Sequence, residues 1–151
     1  MKRMSGFDEF ITKNIVKKQT RDRSRAEFLF KESERSYSNL LERIAKIPLT
    51  DANANDYVKS CYDIVMELIR AKMLLDGFNA AGQGAHEAEI SYMGVLGFNE
   101  RDVRFADQMR FFRNGMMYYG TMIDSVYAEK VWGFTQKIYA QLTKLLEGEL
   151  P

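Results

Sequence analysis

The sequence predicts an all-α protein, on three observations. Apolar residues recur at helical spacing over most of the chain, and only two prolines, Pro48 and Pro151, occur among its 151 residues. No stretch of useful length alternates apolar and polar residues as a half-buried strand does. The elements follow in order. Phe7, Phe10, Ile11 and Ile15 predict a first helix over 6–18. A second, over 21–47, turns Ala26, Phe30, Tyr37, Leu40, Leu41, Ile44 and Ile47 inward, and Pro48 stops it by pushing the preceding residue out of the helical region. The Asp- and Asn-rich loop 49–55 supplies the cap of a third helix over 56–76, whose apolar set from Tyr57 to Leu75 is the densest in the chain and marks it as central. Gly77 is its left-handed stop. After the turn Gly82-Gln83-Gly84, a short helix covers 85–96 and ends at Gly97. Asn99 caps a helix over 100–119, which Gly120 closes. The last helix, 125–146, carries Val126, Val131, Phe134, Ile138, Leu142 and Leu145 on one side.

The length suits a single domain over 1–151 that buries about two-thirds of its unfolded surface, with residues 1–20 as an N-terminal helical extension. The lone Cys61 has no partner for an intramolecular disulfide, and its place in the central helix predicts an inert thiol. No apolar run approaches the ~18 residues of a membrane span, and the basic start leads into polar sequence, so a soluble, cytoplasmic protein is expected. The net charge is only +1, but its distribution is uneven. Lys2, Arg3, Lys13, Lys17, Lys18, Arg21, Arg23 and Arg25 face only Asp8, Glu9 and Asp22. Two readings of this cluster stay open, a phosphate-attracting patch and a solvated helix with its linker.

The segment from Arg110 to Gly120 is the most informative. At about 100° per residue, Phe105, Met109, Phe112, Met116 and Tyr119 fall within roughly 80° of one another and form a core stripe. Arg110, Arg113, Asn114, Met117 and Tyr118 lie on the other side, a face expected to meet a second chain, a phosphate or both. The order Arg-Asn, three residues, then an aromatic follows a Tyr62…Leu74-Leu75-x-Gly77 helix and a Gly84-x-His86 helix start. In this the chain resembles, from about Tyr57 to Leu146, the HEPN domain, a small helical module of prokaryotic toxin and RNA-processing systems.

The resemblance implies a HEPN-type antiparallel bundle of five to six helices that dimerises through the motif helix. It also implies metal-independent endoribonuclease chemistry at a composite cleft and a separately encoded minimal nucleotidyltransferase as antitoxin partner. The family motif is Arg, four to six residues, then His. Arg113 and Asn114 match it, whereas the His position here is Tyr118. Arg113 is then the phosphate-binding residue, Asn114 its orienting partner, and Tyr118 stands where the catalytic base would be. A phenol, with an ordinary pKa near 10, is a poor base at neutral pH, so cleavage is expected to be weak or lost. The alternative is a non-catalytic dimeric scaffold. Arg113 and Tyr118 are five residues apart, about 140° around one helix axis, so an isologous dimer would complete the site. Its expected interface is Arg110, Asn114, Met117 and Tyr118.

His86, the only histidine, is expected to tether the loop 82–84, with a role beside phosphate together with Arg110 and Arg113 as the alternative. It does not form a zinc helix with Glu87 and Glu89, and neither metal nor cofactor is expected. Gly82-Gln83-Gly84 follows no predicted strand and is too short for a nucleotide loop, and no Gly-x-Ser-x-Gly elbow occurs.

Overall fold

The computed structural model describes residues 5–118, 120 and 122–150, and of residues 117 and 118 the backbone alone. In chain order the described residues form α1 (Phe7–Thr12), β1 (Val16–Lys18), α2 (Arg23–Lys46), α3 (Ala54–Asp76), β2 (Phe78–Ala80), α4 (Ala85–Val95), α5 (Glu100–Tyr118) and α6 (Ser125–Glu147). The described residues are mostly helical, with six helices and one small sheet.

The third helix is the axis of the fold. Its buried residues include Val58, Ile64, Val65, Leu68, Ile69, Met73 and Leu74, and α2, α4, α5, α6 and β2 all pack against it. With helices on several sides, α3 has little solvated face left, which explains its apolar density. α2 stops at Lys46, and Ile47 before Pro48 is extended at φ −124° and ψ 107°. Asn99 caps α5 through Oδ1, which accepts from Asp102 N at 2.8 Å. Asp124 does the same for α6, accepting from Tyr127 N at 2.8 Å.

The N-terminal segment departs from expectation. A helix over 6–18 gives way after Thr12, Asn14 adopts φ 61°, and Val16, Lys17 and Lys18 pair antiparallel with Ala80, Asn79 and Phe78. Helical spacing of Ile11 and Ile15 cannot register a partner some sixty residues away. The segment also supplies core, since Phe7, Phe10 and Val16 are buried and Phe7 packs on Phe78 and Tyr92 at ring distances of 5.2 and 4.7 Å. Four positions expected to point inward are exposed: Leu41, Val126 and Leu145 flank the stripes that meet α3, and Ile47 lies beyond the end of α2 in extended backbone.

Gly77 joins the two halves. It sits at φ 86°, a conformation an L side chain enters only with strain. Its carbonyl accepts from Gln19 N at 2.8 Å, and Asp22 N donates to Leu74 O at 3.1 Å. The segment 19–22 is thereby fastened to the end of α3. A second buried polar tie holds the chain's far end, where Lys72 Nζ donates to Asp76 at 2.7 Å and to Glu149 at 2.9 Å, and Tyr92 donates to the other oxygen of Asp76.

Candidate functional site

One side of α3 carries the polar residues that the apolar core leaves over. Asp63, Glu67 and Arg70 are spaced four and three residues apart and fall within roughly 60° around the helix. Arg70 donates from Nε and Nη2 to the two carboxylate oxygens of Glu89 on α4 at 2.6 and 3.2 Å. Glu89 is buried, and this forked pair is what offsets the desolvation of its charge. The same carboxylate lies 3.2 Å from His86 Nδ1, while the imidazole, itself 59% exposed, meets the edge of the Tyr62 ring. Gly84, at φ 87°, starts α4 with its Cα against Ile15, where a Cβ would stand 3.2 Å from Cδ1. That junction sets where His86 enters.

Tyr62, Asp63, Met66, Glu67, Arg70, His86, Arg113 and Asn114 line a cleft of about 320 Å³ between α3, α4 and α5. A second cleft, about 420 Å³, adjoins it at His86 and Asn114 and is walled by residues 82–87 and Arg110. The four residues nominated for phosphate or catalysis outside the end of α5, namely His86, Arg110, Arg113 and Asn114, are thus brought together within one chain. The side chains of Met117 and Tyr118, also nominated, lie outside the described residues, as does Tyr119.

The arginine face is not free in the way the helical winding implies. Phe105 and Phe112 pack on Phe134 and Tyr127 of α6, while the arginine side rests against the polar edges of α3 and α4. A single apolar stripe accounts for only one of these two packed sides. Arg110 is mostly buried, with Nε 2.8 Å from Asp107 and Nη1 3.7 Å from Glu87. Arg113 has Nη2 3.8 Å from Asp63 and its guanidinium carbon 5.7 Å from the centre of the Tyr62 ring, within cation–π range. Phe111, one position further round, is 68% exposed.

Sequence reasoning took Glu89 only as a flank of His86 and passed over Asp63, Glu67 and Arg70. Their signal was the 63, 67, 70 spacing opposite the apolar set of α3. Glu67 also lines the groove of about 650 Å³ between α2 and α3, so with Asp63 it forms the saddle joining groove and cleft. Its Oε2 is buried without a hydrogen-bond partner among the described residues. Burial, then Asp63 and Glu32, push its carboxyl from the ordinary value near 4.5 up to about 7, against the pull of Arg70. Burial likewise raises Asp63, with Arg113, Arg70 and His86 opposing. Burial also raises the Tyr62 phenol, which therefore stays protonated at neutral pH.

A glutamate whose folded pKa lies above its unfolded one contributes stability in full below about pH 4.5 and loses it as pH rises through about 7. Glu67→Gln should flatten this decline and make the protein more stable than the parent above pH 8, by about 1–2 kcal/mol once partial exposure is discounted. Urea midpoints of parent and variant at pH 5 and pH 8.5 check it. An equal difference at both pH values would show that Glu67 titrates normally.

Chemically, the cleft offers the Arg113 fork, the Asn114 amide and the His86 ring to an anion. Glu67 adds a carboxyl able to hold or release a proton near neutrality. Cys61 is buried beside Thr135, and burial lifts its thiol to about 11, which leaves it unionised. Among the described residues, no three histidine, cysteine or carboxylate side chains are grouped to hold a metal ion, and no helix is long and apolar enough to cross a membrane. No family model, curated protein or solved structure matches the chain, so its own residues are the ground for reading its function.

Proposed function

We propose that the chain is a HEPN-type protein of toxin–antitoxin or RNA-processing kind. In this reading it acts in the cytoplasm as a homodimer, binds RNA or nucleotide phosphate in the α3–α4–α5 cleft, and has weak or lost metal-independent ribonuclease activity. The observation that carries the reading is the convergence of His86, Arg113 and Asn114 on one cleft, with Arg110 at its margin. Arg113 is the principal phosphate ligand in this reading, because it lines the cleft itself with its guanidinium beside Tyr62, whereas Arg110 stands at the margin and is engaged by Asp107 at 2.8 Å. Exposed Phe111 beside Asn114 gives the motif helix an apolar contact for a second copy.

The second reading is a non-catalytic dimeric scaffold that partners a minimal nucleotidyltransferase. Asp63 and Glu67 in the lining favour it, since carboxylates beside Arg113 weaken a polyanion site while leaving hydrogen-bonding capacity intact.

The test is binding of a nucleoside monophosphate to parent and Arg113→Ala by calorimetry, alongside incubation with total RNA in the presence of chelator. Arg113→Ala is expected to weaken binding at least tenfold, in line with about 1.5–3 kcal/mol for a charged hydrogen bond. Unchanged binding would remove the phosphate role. Binding lost without any cleavage by the parent would select the scaffold.

A further inference from the structure

The structure assigns a second anion-binding surface to the N-terminal segment, outside the cleft. Lys13, Lys17, Lys18, Arg21, Arg23 and Arg25 are all exposed, and among the described residues none forms an ion pair within 4.0 Å. The only carboxylate among them, Asp22, accepts the N-cap hydrogen bond from Arg25 N at 3.1 Å. α2 begins here with no acidic residue in its first turn, so two arginines stand at the positive end of a 24-residue helix. Helix starts ordinarily gather carboxylates, and this arrangement concentrates positive potential instead of cancelling it. Arg21 lies near the carbonyl end of α3, which partly balances it. Lys13, the C-cap of α1, likewise stands at a carbonyl end.

The scaffold beneath the cations is fixed. Lys17 and Lys18 stand on β1, paired with Asn79 and Phe78, and the segment 19–22 is hydrogen-bonded to Gly77 and Leu74. Phe28, 60% exposed, follows Arg25 by three residues and shares its side of α2. The neighbouring carboxylates Glu27 and Glu32 are paired with Lys31 and Arg35 at 3.0 and 2.5 Å. Unpaired cations on both faces of β1 and at the start of α2, with an exposed aromatic ring three residues after Arg25, suit a single-stranded nucleic acid, whose phosphates take the charge while a base stacks on the ring. It also adjoins the cleft, because Ala81 N donates to Ile15 O at 3.0 Å and residues 82–84 then form the wall that Arg110 and His86 face. We infer that single-stranded RNA binds along Lys13–Arg25 with a base on Phe28 and enters the cleft over the loop 82–84. The choice of RNA over other polyanions rests on the proposed function of that cleft.

The experiment is fluorescence anisotropy of a labelled 20-nucleotide oligouridylate with the full chain between 50 and 200 mM salt. Engagement of about four phosphates predicts a log–log slope near −3 and roughly fifty-fold loss of affinity over that range. Lys17→Glu with Lys18→Glu should abolish measurable binding at 150 mM salt with an unchanged circular dichroism melt, the two side chains being exposed. Phe28→Ala should weaken binding about five-fold or more. Binding that survives the double charge reversal and falls only in Arg113→Ala would overturn the surface and leave the cleft reading standing. Binding lost on charge reversal but untouched by Arg113→Ala would uphold the surface and count against the cleft. Absence of RNA binding at 50 mM salt would overturn it, as would capture by phosphatidylserine vesicles in preference to RNA. Displacement by polyglutamate with no effect of Phe28→Ala would assign the surface to an acidic polypeptide instead.

Discussion

Tyr118→His is expected to raise metal-independent RNA cleavage by about a hundred- to ten-thousand-fold, the contribution of a positioned acid–base group. A phenol near its ordinary pKa of about 10 is less than about one per cent ionised at pH 7, whereas an imidazole near 6.5 is mostly free base. Position 118 lies in the last turn of α5, five residues after Arg113. In the proposed dimer the partner's copy of this turn faces Arg113, so the gain should appear only at concentrations that sustain the dimer. Cleavage of a labelled RNA in chelator, followed across protein concentration, provides the measurement. Strong cleavage by the parent, abolished by Tyr118→Phe, would identify the phenol as an activated catalytic group and exclude the scaffold reading. No gain in the histidine variant, with nucleotide binding intact, would show that the cleft is not built for 2′-hydroxyl attack.

The largest stability effect should come from Gly77→Ala. A Cβ there would stand 2.9 Å from the backbone oxygen of Gln19, and the residue is already at φ 86°. Left-handed strain for an L residue costs about 1–2 kcal/mol. Displacing a backbone atom out of a packed junction adds roughly 1–3 kcal/mol. A loss of about 3 kcal/mol corresponds to roughly a 10 °C fall in melting temperature for a chain of this size. Gly94→Ala is the matched control, since it lies within α4 with open space at its Cβ position and should be neutral or slightly stabilising. Equal shifts in the two variants would mean that the Gly77 junction carries no special constraint.

The helical architecture was legible because its signals are local. Pro48, Gly77, Gly97 and Asn99 each end or begin an element through their own backbone chemistry, and the apolar density of residues 57–75 already marked α3 as central. What stayed hidden depends on distant partners. Val16–Lys18 become a strand only because Phe78–Ala80 lie alongside, and Arg110, already paired with Asp107 on its own helix, meets Glu87 of α4 at 3.7 Å only through tertiary packing. In the candidate site, Arg113, Asn114 and His86 could be picked out singly by residue type and position. The carboxylates beside them left only the 63, 67, 70 spacing as a trace, and Asp63 and Glu67 read as an ordinary solvated face until α5 is laid beside it.

The pairing of β1 with β2 also bears on when the basic surface comes into being. Lys18 and Phe78 are sixty positions apart, so joining them carries a chain-closure cost of about 4 kcal/mol from the length dependence alone. Burial of Phe7, Phe10 and Val16 offsets that cost, but only against Phe78 and Tyr92, residues that must already be organised around α3 and α4. Contacts of such separation form late in folding. During synthesis the cations leave the ribosome some sixty residues before β2 and gain their fixed spacing only once β2 is in place, so ordered display of positive charge belongs to the folded molecule and is withheld from the nascent chain.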